Sequence, residues 1–251
     1  MKHQPTQGLD VVRYREGAAG QVRDHMAVEE RVAIYIGGRE AAVLMASPGD
    51  ECELGLGFAI TMGWLSPAGT APACGFQTEA RVISLAADAA APPESGPRAS
   101  GGGGLGPLAA PRPPDDFRMP IDTARRLTKQ MSQHQRLFAM AGATHSAAVF
   151  DAAGELISIK EDIGRHNAMD KAVGAAWAAG DLARARAMAI SGRASLEMVL
   201  KAARAGMAIL VSVSAPSYQG AVKARETGMT LLGFSRVGRV NVYSHPHRVG
   251  L

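Results

Sequence analysis

Between Glu161 and Lys171 the chain reads Glu161-Asp162-Ile163-Gly164-Arg165-His166-Asn167-Ala168-Met169-Asp170-Lys171. Seven of these eleven side chains are polar or ionisable, and the segment runs straight into the apolar helical pattern Ala172-Val173-Gly174-Ala175-Ala176-Trp177. A helix start needs only one capping side chain and an acid in its first turn. Here Asp162, Arg165, His166, Asn167 and Lys171 crowd around one glycine, which reads as a binding site built on a helix N-terminus.

Three further segments carry compatible chemistry. Ser191-Gly192-Arg193-Ala194-Ser195 follows a short apolar run and opens a helical pattern. Glycine permits close backbone approach, and free N–H groups with the helix dipole favour an anion there, although Ser195 alone would serve as an ordinary cap. Ser212, Ser214, Pro216 and Ser217 repeat the arrangement with plain cap chemistry. Phe234-Ser235-Arg236-Val237-Gly238-Arg239 sets two arginines around a Val-Gly turn, able to clamp phosphate, beside an aromatic ring able to line a base or pterin. Together these segments predict a large, polyanionic, nucleotide-like ligand. His145 precedes an apolar strand, but a zinc deaminase pairs such a histidine with a glutamate two residues on and with a CxxC. Ala147 occupies the glutamate position and no CxxC occurs, so zinc-dependent deamination is not expected, and no metal site is.

The elements that must position these residues follow from periodicity. Residues 1–30 show no strong period. Arg31–Ile36, the turn Gly37-Gly38 and Ala41–Ala46 read as a hairpin, followed by a helix capped by Ser47 or Asp50 and a strand at Arg81–Leu85. This predicts a small α+β part over 1–86. Residues 87–118 are crowded with Ala, Pro and Gly, including Gly101–Gly104, and read as a loop or linker. From 119 to 251, Ile121, Ala124, Leu127, Met131 and Phe138 trace one helical face, and short apolar strands then alternate with helices ended by Gly206 and Gly228. That alternation predicts an α/β domain with a mostly parallel sheet, whose ligands bind beyond the carboxyl ends of its strands.

Composition narrows the ligand only slightly. The net charge is +4, and six of the 27 basic residues are lysine, so arginine dominates. Aromatics at 5% and the lack of a basic run argue against nucleic acid. No stretch reaches the length of a membrane span, and the first residues lack an apolar signal block, so a cytoplasmic location is expected. Cys52 and Cys74 are the two cysteines, far apart and in no CxxC pair; they read as small buried hydrophobes, with no disulfide framework or zinc site indicated.

The Glu161–Lys171 block, the run Phe138–Ala148, Ser191-Gly192-Arg193 with Glu197-Met198-Val199, Ile209–Pro216, Gly228–Phe234 and Val242–Pro246 resemble the FdhD-type formate dehydrogenase accessory sulfurtransferases. The resemblance covers most of residues 30–248 and is looser over Val43–Met45, Ser47-Pro48 and Leu54–Phe58. It implies a cytidine-deaminase-like C-terminal domain, often dimeric, that carries sulfur from a cysteine desulfurase to molybdenum bis(molybdopterin guanine dinucleotide) bound for the catalytic subunit of formate dehydrogenase. The family's cofactor-binding turn maps onto Phe234–Arg239. Its persulfide cysteine lies in a C-G-x-C-G loop, which here reads Ser100-Gly101-Gly102-Gly103-Gly104-Leu105-Gly106 without sulfur. The resemblance therefore implies a cofactor-binding chaperone with no catalytic residue of its own. An active sulfur carrier using Cys74 or Cys52, and a guanine-nucleotide-binding module without a molybdenum role, are the alternatives.

Overall fold

The computed structural model describes residues 4–87, 110–113, 116–236 and 238–251. The chain begins with a two-stranded antiparallel ribbon, β1 (Thr6–Arg15) and β2 (Ala18–Ala27), turning at Glu16-Gly17, both of which have positive φ. This segment had shown no period because neither face of the ribbon is deeply buried: Leu9, Val12, Tyr14 and Met26 all stand exposed. Alternation is expected only where one face meets a core.

β3 (Glu30–Ile36) and β4 (Arg39–Ala46) form the expected hairpin, and α1 (Glu51–Thr61) follows with Asp50 at its N-cap. β5 (Cys74–Gln77) and β6 (Val82–Leu85) complete a four-stranded sheet in the order β4-β3-β6-β5. α2 (Ile121–Ser132) ends before α3 (Arg136–Ala141), so the single helical face expected through Phe138 is broken, and Phe138 is exposed. β7 (His145–Asp151), β8 (Leu156–Asp162), α4 (Arg165–Ala178), β9 (Ala185–Ile190), α5 (Leu196–Arg204), β10 (Ile209–Ser212), α6 (Tyr218–Thr227), β11 (Thr230–Arg236) and β12 (Arg239–Ser244) build the rest. Their six-stranded sheet has the order β12-β11-β10-β9-β7-β8.

The α/β class holds, but the sheet is mixed rather than mostly parallel. Only the β9–β10 and β10–β11 pairs are parallel, with β7, β8 and β12 joined antiparallel. The short turns between β7 and β8 and between β11 and β12 leave no room for a crossover helix, so each pair closes as a hairpin.

One face of this sheet packs Phe150, Ala187, Ile209, Val211 and Leu232 under Ala124, Leu127 and Met131 of α2. On the other face lies a cluster that runs without interruption through α4 and α5 into α1 and the four-stranded sheet, linking Val149 and Leu210 to Val173, Leu54 and Ile34. Where α1 crosses α4 the backbones touch. A Cβ on Gly57 would lie 1.7 Å from the Asp170 carbonyl oxygen, and one on Gly174 would lie 1.8 Å from that of Glu53. Glycine at both positions allows the contact.

Candidate functional site

Because β9, β10 and β11 are parallel, the residues that leave them emerge on one edge. Backbone hydrogen bonds stitch that edge together: Ser191 N–H donates to Ser146 O, Val213 N–H to Ile190 O, and Phe234 N–H to Ser214 O. β7 enters the sheet at the same edge with His145 opposite Asp162, the last residue of β8. The polar segments singled out in the sequence are therefore neighbours in space.

Two cavities lie along this edge. One, of about 420 Å³, is lined by Arg125, Arg126, Thr128 and Lys129 of α2 together with Ser235 and Arg236. The second, of about 520 Å³, is lined by Gln135, Phe138, Thr144, His145 and Ser191. Ser132 and Val213 line both, so the cavities adjoin. Each is within the size range of small-molecule sites. The first carries four cations; the second offers a ring, an amide, an imidazole and three hydroxyls.

The side chains along the edge are held by one another. The Ser191 hydroxyl accepts from Ser146 N–H at 3.0 Å and lies 3.3 Å from His145 Nδ1. The Ser212 hydroxyl donates to Gly192 O at 2.7 Å and accepts from Ser214 N–H at 3.1 Å. Gly192 packs closely here: a Cβ would come within 3.3 Å of Arg165 Cδ and 3.4 Å of His145 Nδ1. Ser235, itself buried, donates to Arg125 O at 3.3 Å and sits 3.2 Å from the Thr128 hydroxyl, fixing the end of β11 to α2. Phe234 adopts a left-handed φ of 51°, uncommon for a bulky residue, at a register shift in the β11–β12 pair. Its ring lies under Arg239, with Cζ 5.3 Å from the centroid. Arg193 and Arg236 are exposed, and Val237 lies outside the described residues.

Burial is the main cause pulling the His145 pKa down, with Arg165 adding to it and Asp162 opposing. His166 is pushed down to about 3, mainly by burial and then by Lys201, Arg165 and His145. At neutral pH it is a neutral ring, 3.2 Å from Glu197 Oε2 through Nε2. Arg165 Nε is buried and has no hydrogen-bond partner among the described residues. A buried cationic donor left over in this way fits an anion bound beside it.

The rest of the polar block faces the N-terminal part of the chain. Asp162 is fully buried and pairs with Lys171 at 2.8 Å. It also accepts from Ser47 N–H at 2.9 Å, Gly164 N–H at 2.8 Å and Asn167 Nδ2 at 3.1 Å. Lys171 donates to Ser47 O and Asn167 Nδ2 to Met45 O, each at 2.7 Å. Lys171 also lines a separate cavity of about 460 Å³ with Asp50, Lys160 and Glu161. Deeper still, Lys201 pairs with Asp170 at 2.7 Å, the Thr61 hydroxyl donates to Asp170 Oδ1 at 2.7 Å, and Arg204 donates to Thr61 O at 2.8 Å. The Glu161 carboxylate accepts from Leu137 and Phe138 N–H, each at 2.8 Å, anchoring α3 beside the second cavity.

Sequence reasoning missed the cations of α2. Their signal was present: Arg125 and Lys129 are four apart, on the helix surface away from Leu127 and Met131, which reach the core. It missed the cysteines differently. Cys52 on α1 and Cys74 on β5 are joined as a disulfide, with Cα atoms 5.7 Å apart, and both are half-buried rather than enclosed. The pairing arises because α1 packs under the four-stranded sheet, an encounter that sequence separation does not reveal. The Gly101–Gly106 region lies outside the described residues.

With the geometry in place, the profile of the FdhD/NarQ family matches residues 27–250. The chain belongs to that family. It is 34% identical over 273 residues to the sulfur carrier protein FdhD of Streptomyces avermitilis, spanning 98% of this chain and 96% of that protein. Identity to the Bordetella parapertussis sulfur carrier protein FdhD is 36% over 259 residues, spanning 95% and 93%. Among solved structures, a formate dehydrogenase accessory protein from Desulfotalea psychrophila superposes with a TM-score of 0.84 at 27% identity, covering 98% of this chain and 99% of that one. Among the described residues, no helix is long and apolar enough to cross a membrane, and no cluster of potential metal ligands occurs.

Proposed function

We propose that this FdhD/NarQ-family chain is a formate dehydrogenase maturation factor that binds molybdenum bis(molybdopterin guanine dinucleotide) along the β9–β11 edge and assists its sulfuration or insertion. The observation that carries the reading is the pair of adjoining cavities, one lined by Arg125, Arg126, Lys129 and Arg236 and the other by Phe138, His145 and Ser191. Guanidinium forks suit phosphate oxygens, and the half-closed second cavity suits a planar heterocycle with polar edges. Relatives carrying the name sulfur carrier protein, and a structural neighbour named a formate dehydrogenase accessory protein, support the assignment.

On this reading Arg165, Ser191, Gly192, Arg193 and the turn from Phe234 to Arg239 meet the cofactor. Asp162, His166, Asn167 and Lys171 hold the Arg165 turn in place. Its partners are the catalytic subunit of formate dehydrogenase, a cysteine desulfurase as sulfur source and a second copy of the chain, all in the cytoplasm.

The test is titration calorimetry with guanosine diphosphate and with the isolated cofactor, comparing the parent with an Arg125→Gln/Lys129→Gln variant. Two lost phosphate contacts, each worth about 1.5–3 kcal/mol as charge-assisted hydrogen bonds, lower affinity by at least about tenfold. Unchanged affinity for both ligands refutes the groove. Equal affinity for nucleotide and full cofactor instead favours a guanine-nucleotide module.

A further inference from the structure

We infer that Cys52 and Cys74 form a dithiol–disulfide site that takes the sulfane sulfur of a low-molecular-weight persulfide and releases it as hydrosulfide. The inference rests on the sulfur-handling part of the function proposed above, and it assigns that chemistry to a place away from the cofactor groove.

Carrying sulfur on a protein side chain takes a nucleophilic thiolate. The chain has two cysteines, and the fold brings them together with Cα atoms 5.7 Å apart, within the span of a disulfide. Their positions in the fold differ in a useful way. Cys52 is the second residue of α1, whose first backbone bond within the helix is donated by Leu54 to Asp50 O. Its own N–H therefore belongs to the open end of the helix, where the dipole favours an anion. Acids near this end of the helix oppose that and are offset in part: Arg81 is shared by Glu51 at 3.0 Å and Glu30 at 2.9 Å, and Lys160 by Asp50 at 2.6 Å and Glu53 at 3.6 Å. Cys74 begins the edge strand β5, so the two sulfurs are presented by separate elements packed against each other. Both residues are half-buried, open enough to meet a small donor.

The chemistry balances in two exchanges. The reduced Cys52 thiolate attacks the terminal sulfur of a donor persulfide, R–S–SH. The S–S bond breaks, R–S⁻ leaves and takes a proton from water, and Cys52–S–SH remains with the hydrogen the donor carried. Cys74 thiolate then attacks the inner sulfur of Cys52, forming the Cys52–Cys74 disulfide and expelling hydrosulfide. The two thiols are oxidised by two electrons and the sulfane sulfur is reduced by the same two. A dithiol reductant resets the pair by ordinary exchange. The disulfide in the structure is the discharged state of this cycle.

The experiment uses the full chain, reduced with dithiothreitol, desalted anaerobically and mixed with glutathione persulfide. Hydrosulfide release and intact mass are read together. The expected result is one hydrosulfide per chain and regeneration of the disulfide in the parent. Cys74→Ser is expected to stop at a mass gain of one sulfur atom, removable by dithiothreitol, with little hydrosulfide. Reduced parent protein needs no substitution to fold, so its failure to release hydrosulfide above the level of a Cys52→Ser/Cys74→Ser variant overturns the inference. Guanosine diphosphate binding is measured on the same samples. Nucleotide binding without hydrosulfide release overturns the thiol site and leaves the cofactor groove standing. Release without nucleotide binding supports the thiol site and counts against the groove.

Discussion

Replacing Lys171 by methionine separates two accounts of the polar block that carries the family signature. In the structure Lys171 Nζ lies 2.8 Å from Asp162 Oδ2 and donates to Ser47 O at 2.7 Å, and neither charged side chain is more than 1% exposed. Methionine keeps the length of the stem and deletes the charge. Asp162 is then a buried carboxylate with three N–H donors and no cation, and Ser47 O loses this donor. Breaking one side of a buried pair costs about 3–5 kcal/mol. The three remaining donors to Asp162 place the expected loss near the lower end, about 3 kcal/mol.

Urea unfolding followed by circular dichroism measures it, as a lowered midpoint at unchanged slope. Adding Asp162→Asn removes the stranded charge, so the double variant should recover part of the loss, a coupling that neighbouring residues show and distant ones do not. The reasoning fails if Lys171→Met unfolds within about 1 kcal/mol of the parent, the scale of ordinary surface changes. If cofactor affinity collapses while stability is unchanged, Lys171 is a ligand contact rather than a support of the Arg165 turn.

Other perturbations test other joints. The folded pKa of His166, about 3, lies below the ordinary value of 6.5. The unfolded chain therefore takes up the proton first, so this contribution is whole above pH 6.5 and is lost as pH falls toward 3. Unfolding at pH 7 and pH 5 should show a loss of about 2 kcal/mol in the parent that His166→Gln lacks, at about 1.4 kcal/mol per pH unit. Its neighbour His145, shifted the same way by burial, is present in both proteins and so drops out of the comparison. Gly174→Ala drives a Cβ onto the Glu53 carbonyl, where backbone rather than a side chain must yield. A loss of about 3 kcal/mol or more in urea is expected, and a change below about 1 kcal/mol would show that the helix crossing opens easily. Reducing the Cys52–Cys74 bond frees a loop with a sequence separation of 22 residues, for which chain entropy gives about 3 kcal/mol of destabilisation, read as a lower melting temperature with reductant present.

The parts of this fold legible in the sequence are those whose pattern one contact surface imposes. β10 is an unbroken apolar run because both its faces are covered, and Gly206 and Gly228 mark helix ends because only a left-handed residue completes those turns. The β1–β2 ribbon was not legible, since strands that bury neither face carry no alternation. The break between α2 and α3 was hidden for the opposite reason: Phe138 falls on the period of α2 yet faces the second cavity.

The block from Glu161 to Lys171 was legible as a place of concentrated chemistry, but its inner division was not. Periodicity says which residues share a helix face; it does not say which strand end from another part of the chain meets that face. Ser47, Met45 and Thr61 approach α4 from more than a hundred residues upstream and engage Asp162, Asn167, Lys171 and Asp170. Arg165, half-buried at the first turn, remains beside His145 and Gly192 with its Nε unpartnered among the described residues. A buried ion pair gives weak net stability, yet leaving one member alone is costly, so Asp162 and Asp170 are restricted to places where Lys171 and Lys201 reach them. That restriction matters at the edge. The turn that aims Arg165 is held by Asp162 and Asn167, which are themselves held by the strand end at Met45–Ser47. The end of β4 thus fixes the backbone that presents Arg165 beside His145 and Gly192, and part of the signature answers to this contact between distant stretches of the chain.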